Sequence, residues 1–304
     1  MDLIIQPADG IKPLLDAING AKKTLDFLIF RLDLKEIEKA AEAAVGRGVN
    51  VSVIIAHTHS GSDKRLRQLE QRMLDKGVTV SRSKDDLVRY HGKMLIVDRE
   101  ELQVYGFNYT SIDLTSRSFG VVTRDRSLVG EALRLFEADT ARQEFEPTVD
   151  GLVVSPENAR EQLATFIKRA KKSLAIYDPK VTDTQMIRLL HQRAKAGVDV
   201  RVIGKVGKRA GELRVQKLPG MRLHVRAMIR DGDTAFVGSQ SLRNLELDGR
   251  REVGVIVKDA KVVKGMQEVF EEDWAKTDVG KKEQKEFVKD QKLEETAAAI
   301  AVGH

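Results

Sequence analysis

The sequence predicts an α/β fold built twice over, as two similar halves that each alternate strands with helices. Three observations predict it. Strand and helix periodicities alternate along the chain. Ala21-Lys22-Lys23-Thr24-Leu25 returns as Ala170-Lys171-Lys172-Ser173-Leu174, and Gly48-Val49-Asn50-Val51 as Gly197-Val198-Asp199-Val200, both offset by 149. A spaced polar set, His91, Lys93, Asp98 and Asn108, returns as His224, Arg226, Asp231 and Ser241, offset by 133.

In chain order, Ile11, Leu14, Leu15 and Ile18 share one helical face, giving a helix over residues 9–23 and a strand over 24–30. A helix over 34–47 ends at Gly48, and a strand follows over 49–55. The first half then carries about 16 residues more than the second, the difference between the two offsets, and they fall within 56–90. That stretch reads as a polar loop, a helix over 64–75 and a short strand over 78–80. Alternating apolar residues around each motif His suggest a strand, so that His and the cation two residues later share a face. Asp98-Arg99-Glu100 and Asp231-Gly232-Asp233 read as turns that bring Asn108 or Ser241 back towards the His. A loop over 109–117, a strand over 119–123 and a helix over 127–141 close the half. Residues 147–151 are the expected linker, between a first unit at 1–147 and a second at 152–276. Ser155-Pro156 reads as N-cap and first residue of the next helix, whose apolar face holds Leu163, Phe166 and Ile167. Residues 277–304 form a charged, then Ala-rich tail, expected as a solvated helix with a frayed end.

A length of 304 residues with 41% hydrophobic content supports two real cores. The absence of Cys excludes disulfides, thiolate catalysis and Cys-based zinc sites. His57 and His59 have no third ligand nearby in sequence, so no metal is expected there. A net charge of +6 and a pI near 9.3 favour anionic partners. The opening residues lack a signal-peptide pattern and no apolar run is long enough for a span, so the expected location is cytoplasmic.

The motif pairs an imidazole, which can act as nucleophile or acid near neutral pH, with a cation expected on the same face. By chance a given His meets the spacing about 3% of the time, so two matches at equivalent places among six His are not background.

His91-Gly92-Lys93 with Asp98 and Asn108 resembles the HxKxxxxD signature of the phospholipase D superfamily, and the second set is a degenerate copy with Arg226 for Lys and Ser241 for Asn. The resemblance covers about residues 5–275. It implies a pseudo-twofold double α-β-α sandwich with one cleft between the halves, and a cofactor-free phosphodiesterase or phosphatidyltransferase working through a phosphohistidine. On this resemblance His91 is the nucleophile and His224 the general acid, Lys93 and Arg226 clamp the phosphate, and Asn108 with Ser239 or Ser241 adds neutral donors. Asp98 and Asp231 support them. Glu252 stands where the family places a carboxylate that orients a catalytic His, and is expected to serve His224; the equivalent place in the first half, Ser118, leaves His91 without such a partner. Gly106-Phe107-Asn108 is similar to the Gly-x-Asn of cardiolipin-synthase-like members. The expected substrate is therefore a phospholipid head group ahead of nucleic acid, with peripheral membrane contact and a complete site in one monomer. A nuclease of the same superfamily is the second reading. A catalytically weakened anion-binding protein, argued from Ser118, Arg226 and Ser241, is the third.

Overall fold

Strand β1 (Asp2–Gln6), helix α1 (Lys12–Gly20), β2 (Thr24–Ile29), α2 (Lys35–Gly46), β3 (Asn50–Ile55), α3 (Asp63–Asp75) and β4 (Thr79–Arg82) open the chain. Then come β5 (Arg89–Tyr90), β6 (Met94–Val97), β7 (Glu101–Tyr105), α4 (Ser111–Leu114), β8 (Ser118–Thr123) and α5 (Arg126–Ala141). The second half runs β9 (Leu152–Ser155), α6 (Ala159–Lys168), β10 (Ser173–Val181), α7 (Thr184–Lys195), β11 (Asp199–Val206) and β12 (Arg214–Gln216). It ends with β13 (Arg226–Arg230), β14 (Thr234–Gly238), α8 (Asn244–Asp248), β15 (Arg250–Val257) and α9 (Ala260–Ala275). The structure, a computed structural model, describes residues 1–56, 63–207, 211 and 213–286. His57, His59 and the tail beyond residue 286 lie outside them.

The repeat is visible in the sheets. The first has the order β1-β8-β7-β6-β2-β3-β4; in the second, β9 pairs with β15 and the path continues β14-β13-β10-β11-β12, the same order element for element. In each, a parallel ladder of βαβ type (β2 with β3, β10 with β11) adjoins an antiparallel meander. Helix α3 accounts for the first half's insertion.

Several sequence expectations shift. The expected first helix begins at Lys12, not residue 9, because the Asp9 carboxylate accepts the Ile5 N–H at 2.7 Å and holds a turn after β1. Strands β1 and β9 were not anticipated. Ser155-Pro156 does not start a helix: Ser155 pairs with Glu252 in the ladder to β15, the peptide before Pro156 is cis, and α6 starts at Ala159. The motif His residues are not inside strands; His91 precedes β6 and His224 precedes β13. The loop after Asn108 contains α4.

The main core lies between the two sheets, where α5 and α9 are packed: Leu128, Ala132 and Phe136 of α5 join Val262, Met266 and Phe270 of α9, with strand residues from both halves. Phe119 of β8 meets Tyr177 of β10 edge-on at 5.7 Å, Tyr177 meets Phe270 at 5.0 Å, and Phe270 stacks on Trp274. Two buried ion pairs cross this interface in matching positions. Arg117 binds both carboxylate oxygens of Asp273 on α9, at 2.7 and 3.0 Å, and Arg251 binds Asp139 on α5 at 3.1 Å.

Candidate active site

The two motif histidines are brought together because each is tied by its backbone to the other half. His91 and Gly92 donate their N–H groups to the Arg251 carbonyl at 2.7 and 3.0 Å, and His224 donates to the Arg117 carbonyl at 3.1 Å. Gly92 is needed in that passage: a Cβ there would meet Leu28 Cδ2 at 2.7 Å and Val253 Cγ2 at 2.9 Å.

Asp98 and Asp231, the acidic positions of the motif, are not at the site. Each sits at positive φ (52° and 54°) in the hairpin turn. Each carboxylate accepts three successive backbone N–H groups, Asp98 from Lys22, Lys23 and Thr24, and Asp231 from Lys171, Lys172 and Ser173. They brace the start of β2 and β10.

The carboxylate partners are crossed relative to the sequence expectation. Glu252 belongs to the second half, yet its Oε2 lies 2.8 Å from His91 Nδ1, so it does not serve His224. The reason is topological: β5 adds to the edge of β15 with Arg250 opposite Arg89, and this carries His91 alongside Glu252. His224 finds Asp113 instead, with Nδ1 at 3.4 Å from Oδ2. Asp113 is held by the Asn108 N–H (2.8 Å), the Asn108 side-chain amide (2.7 Å) and Arg222 (2.5 Å). Asn108 thus donates to a carboxylate. Ser118, the position where a carboxylate is missing, donates to the His224 carbonyl at 3.2 Å.

Sequence reasoning missed Asp113 and its counterpart Glu246, although both stand 22 residues after a motif His and five after Asn108 or Ser241. Glu246 accepts the Ser241 N–H at 2.8 Å, lies 3.9 Å from Arg226 and also binds Arg243 and Arg250. Ser239 bonds both ways with the Val253 backbone, at 3.1 and 3.3 Å, and its hydroxyl favours the ionised form of Glu252.

Lys93 Nζ lies 2.9 Å from Nδ1 and 3.0 Å from Nε2 of His91, and the imidazole packs edge-on against Phe30 at 4.5 Å. Lys93 and Glu252 are both 0% exposed and His91 is 7% exposed. Arg226 has two buried nitrogens, Nε and Nη1, without a hydrogen-bond partner among the described residues. Such donors are costly unless an anion takes them.

Burial, reinforced by Lys93 and Arg226, holds His91 well below its usual range, and burial with Arg226 does the same for His224 despite Asp113. Each imidazole feels a cation of the opposite half, as expected of one shared site. Burial also pulls Lys93 down to about 7 and pushes Glu252 up, the latter against the charge of Lys93. An anion bound between these groups would raise both histidines. The arrangement therefore holds two neutral imidazoles, each with a carboxylate at Nδ1, around unmatched cationic donors.

No curated protein matches the chain. Among solved structures, the polyphosphate kinase of Porphyromonas gingivalis superposes with a TM-score of 0.74 at 18% identity over 89% of this chain and 49% of that one. The chain thus spans about half the length of that enzyme. The phosphatidylserine synthase of Haemophilus influenzae Rd KW20 superposes with a TM-score of 0.70 at 11% identity, over 90% of this chain and 86% of that one. At these identities the likeness is one of fold, a two-sheet pseudo-symmetric α/β architecture. The family described as "Cardiolipin synthase, PLD-like domain" matches residues 14–140 and 163–274, which take in both motifs, and the chain belongs to that family within the phospholipase D superfamily.

Proposed function

We propose that the protein is a phosphodiesterase or phosphatidyltransferase that acts on a phospholipid head group through a phosphohistidine on His91, with no metal or cofactor taking part. The observation that carries this reading is the pairing of His91 with Glu252. A carboxylate at Nδ1 selects the tautomer with its proton there, which leaves the Nε2 lone pair to attack phosphorus. Lys93 and the unmatched Arg226 nitrogens receive the non-bridging oxygens. His224, protonated once the anionic phosphate in the cleft raises its pKa and with its Nδ1 towards Asp113, gives the Nε2 proton to the departing alcohol oxygen as the phosphorus–oxygen bond breaks. In the second step a water or a second alcohol, losing its proton to His224, attacks phosphorus and breaks the phosphorus–nitrogen bond. Both motifs lie in one chain, so one monomer holds a complete site.

Ser118, the ground for a weakened binding protein, is offset by Asp113, which supports the active reading. The basic charge of +6 supports a nuclease as the second reading. Among the described residues no helix is long and apolar enough to cross a membrane. The test is rapid-quench mass spectrometry on a p-nitrophenyl phosphodiester, with short-chain phosphatidylglycerol and single-stranded DNA compared under turnover. An acid-labile phosphate on His91 that is absent from His91→Ala, with turnover of the lipid, supports the proposal. Label on another residue, no label, or turnover of DNA alone overturns it.

A further inference from the structure

The repeat is broken at one place beside the site. Arg89 and Arg222 are counterparts, each two residues before a motif His. Arg222 is neutralised by Asp113 at 2.5 Å and also bonds Ser116 at 2.9 Å. Arg89 has no ion pair or side-chain hydrogen bond among the described residues. Its guanidinium instead lies 5.1 Å from the centroid of Phe30, the ring that contacts His91, and the guanidinium of exposed Arg31 lies 5.3 Å from the same centroid. Arg31 likewise has no carboxylate partner among the described residues. The second half offers only Pro179 and Lys180 at the places of Phe30 and Arg31, by the 149 offset.

Two guanidiniums converging on one ring repel each other. Burial, then Arg250 and Arg31, lower the Arg89 pKa, against Glu252. Cation–π contact offsets part of this, but a pair of planar forks with no carboxylate bonded to either among the described residues, one ring away from His91, is an arrangement that can bind a phosphate. We propose that Arg31 and Arg89, held against Phe30, form a second anion subsite that takes a further phosphate of the lipid head group, so that the preferred substrate carries two phosphates. This rests on the phospholipid reading above. Lipid is favoured over nucleic acid because Phe30 is only 6% exposed and offers no open face for a base. Two large apolar side chains are also exposed next to these residues in sequence, Val88 (65%) beside Arg89 and Ile112 (58%) beside Asp113.

The test is calorimetric titration of the full chain with matched pairs of ligands, one and two phosphates: dihexanoyl phosphatidylglycerol against its phosphate, and glycerol 3-phosphate against glycerol 1,3-bisphosphate. A single-stranded DNA oligomer serves as a third arm. In the wild type the two-phosphate lipid binds about tenfold more tightly than its partner. In Arg31→Gln/Arg89→Gln that ratio falls below about twofold, and Arg31→Lys/Arg89→Lys keeps part of it, which separates a charge effect from misfolding. The soluble pair shows whether the phosphates suffice without acyl chains. No advantage in the wild-type lipid pair, an advantage that survives the glutamine variant, or DNA bound more tightly than the two-phosphate lipid overturns the proposal. Binding needs no turnover, so failure to trap a phosphohistidine would refute the catalytic reading and leave this ratio readable.

Discussion

Replacing Glu252 with Gln should slow formation of the covalent intermediate by about 100-fold, and by the same factor whatever the leaving group. Gln keeps the volume of a side chain that is 0% exposed but removes the charge that faces His91 Nδ1 at 2.8 Å. A hydrogen bond to a charged group contributes about 1.5–3 kcal/mol, which is about 10- to 150-fold in rate. The amide can also present its NH2 to Nδ1, which would select the tautomer with Nε2 protonated and unable to attack. Asp113→Asn should behave differently, because Asp113 supports the proton donor. Its loss should be about 30-fold with an alkyl phosphodiester and under about threefold with a p-nitrophenyl diester, whose phenolate departs without a proton. Single-turnover quench kinetics with both substrates, read as acid-labile phosphate by mass spectrometry, measures the four rates. A Glu252→Gln defect that disappears with p-nitrophenolate, beside an Asp113→Asn defect that does not, would exchange the roles of the two histidines and refute the reasoning. Thermal melts of both variants exclude unfolding as the cause.

Asp98→Asn should lower stability by about 2 kcal/mol at pH 7, since it weakens three backbone contacts. Burial opposes ionisation of Asp98, but the N–H groups of Thr24, Lys23 and Lys22 outweigh it and keep its pKa below 3.8. The stability that depends on this lowered pKa is present above about pH 4 and is lost as pH falls through the folded value, so urea midpoints of variant and wild type should approach each other as the pH is lowered below about 4. Arg117→Met leaves Asp273, 1% exposed, without its bidentate partner and should cost about 3–5 kcal/mol in urea unfolding. Adding Asp273→Leu should recover part of that loss. Lys93, brought down to about 7 by burial, loses its charge as pH rises past that value. The kcat/KM of the wild type should therefore decline above about pH 7, and Lys93→Arg should remove that alkaline limb.

Much of the fold was legible because the repeat is written in residues that fix backbone: Gly48 and Gly197, at φ 84° and 85°, end α2 and α7 in the same way. The strands that were missed, β1 and β9, are short and lie at the end of each sheet path. Their signal was nevertheless present, since Pro7 and Pro156 follow them at the same 149 offset. At the site, His91, Lys93, His224 and Arg226 could be read from spacing because spacing along one strand start is a local property. The partner of Glu252 could not. Which imidazole it meets depends on β5 crossing to the edge of the opposite sheet, a contact 161 residues apart in sequence. Asp98 and Asp231 show the converse: a strict spacing that marks a brace for the backbone and not a reacting group. Asp113 and Glu246 were findable by applying the 133 offset to acidic residues as well as to the histidines.

Glu252 has no carboxylate counterpart at Ser118, and this gives the cleft a polarity. Were every motif residue repeated, with Lys in place of Arg226 and Asn in place of Ser241 as well, the imidazoles would be interchangeable by the pseudo-twofold axis, and a diester with unlike arms could enter either way round with equal effect. With a glutamate beside His91 and an aspartate reached from a different loop beside His224, the two sides of the cleft differ, and under the proposed roles a diester sets its departing arm towards His224, opposite the attacking His91. A chain built of two similar units has in this way a front and a back.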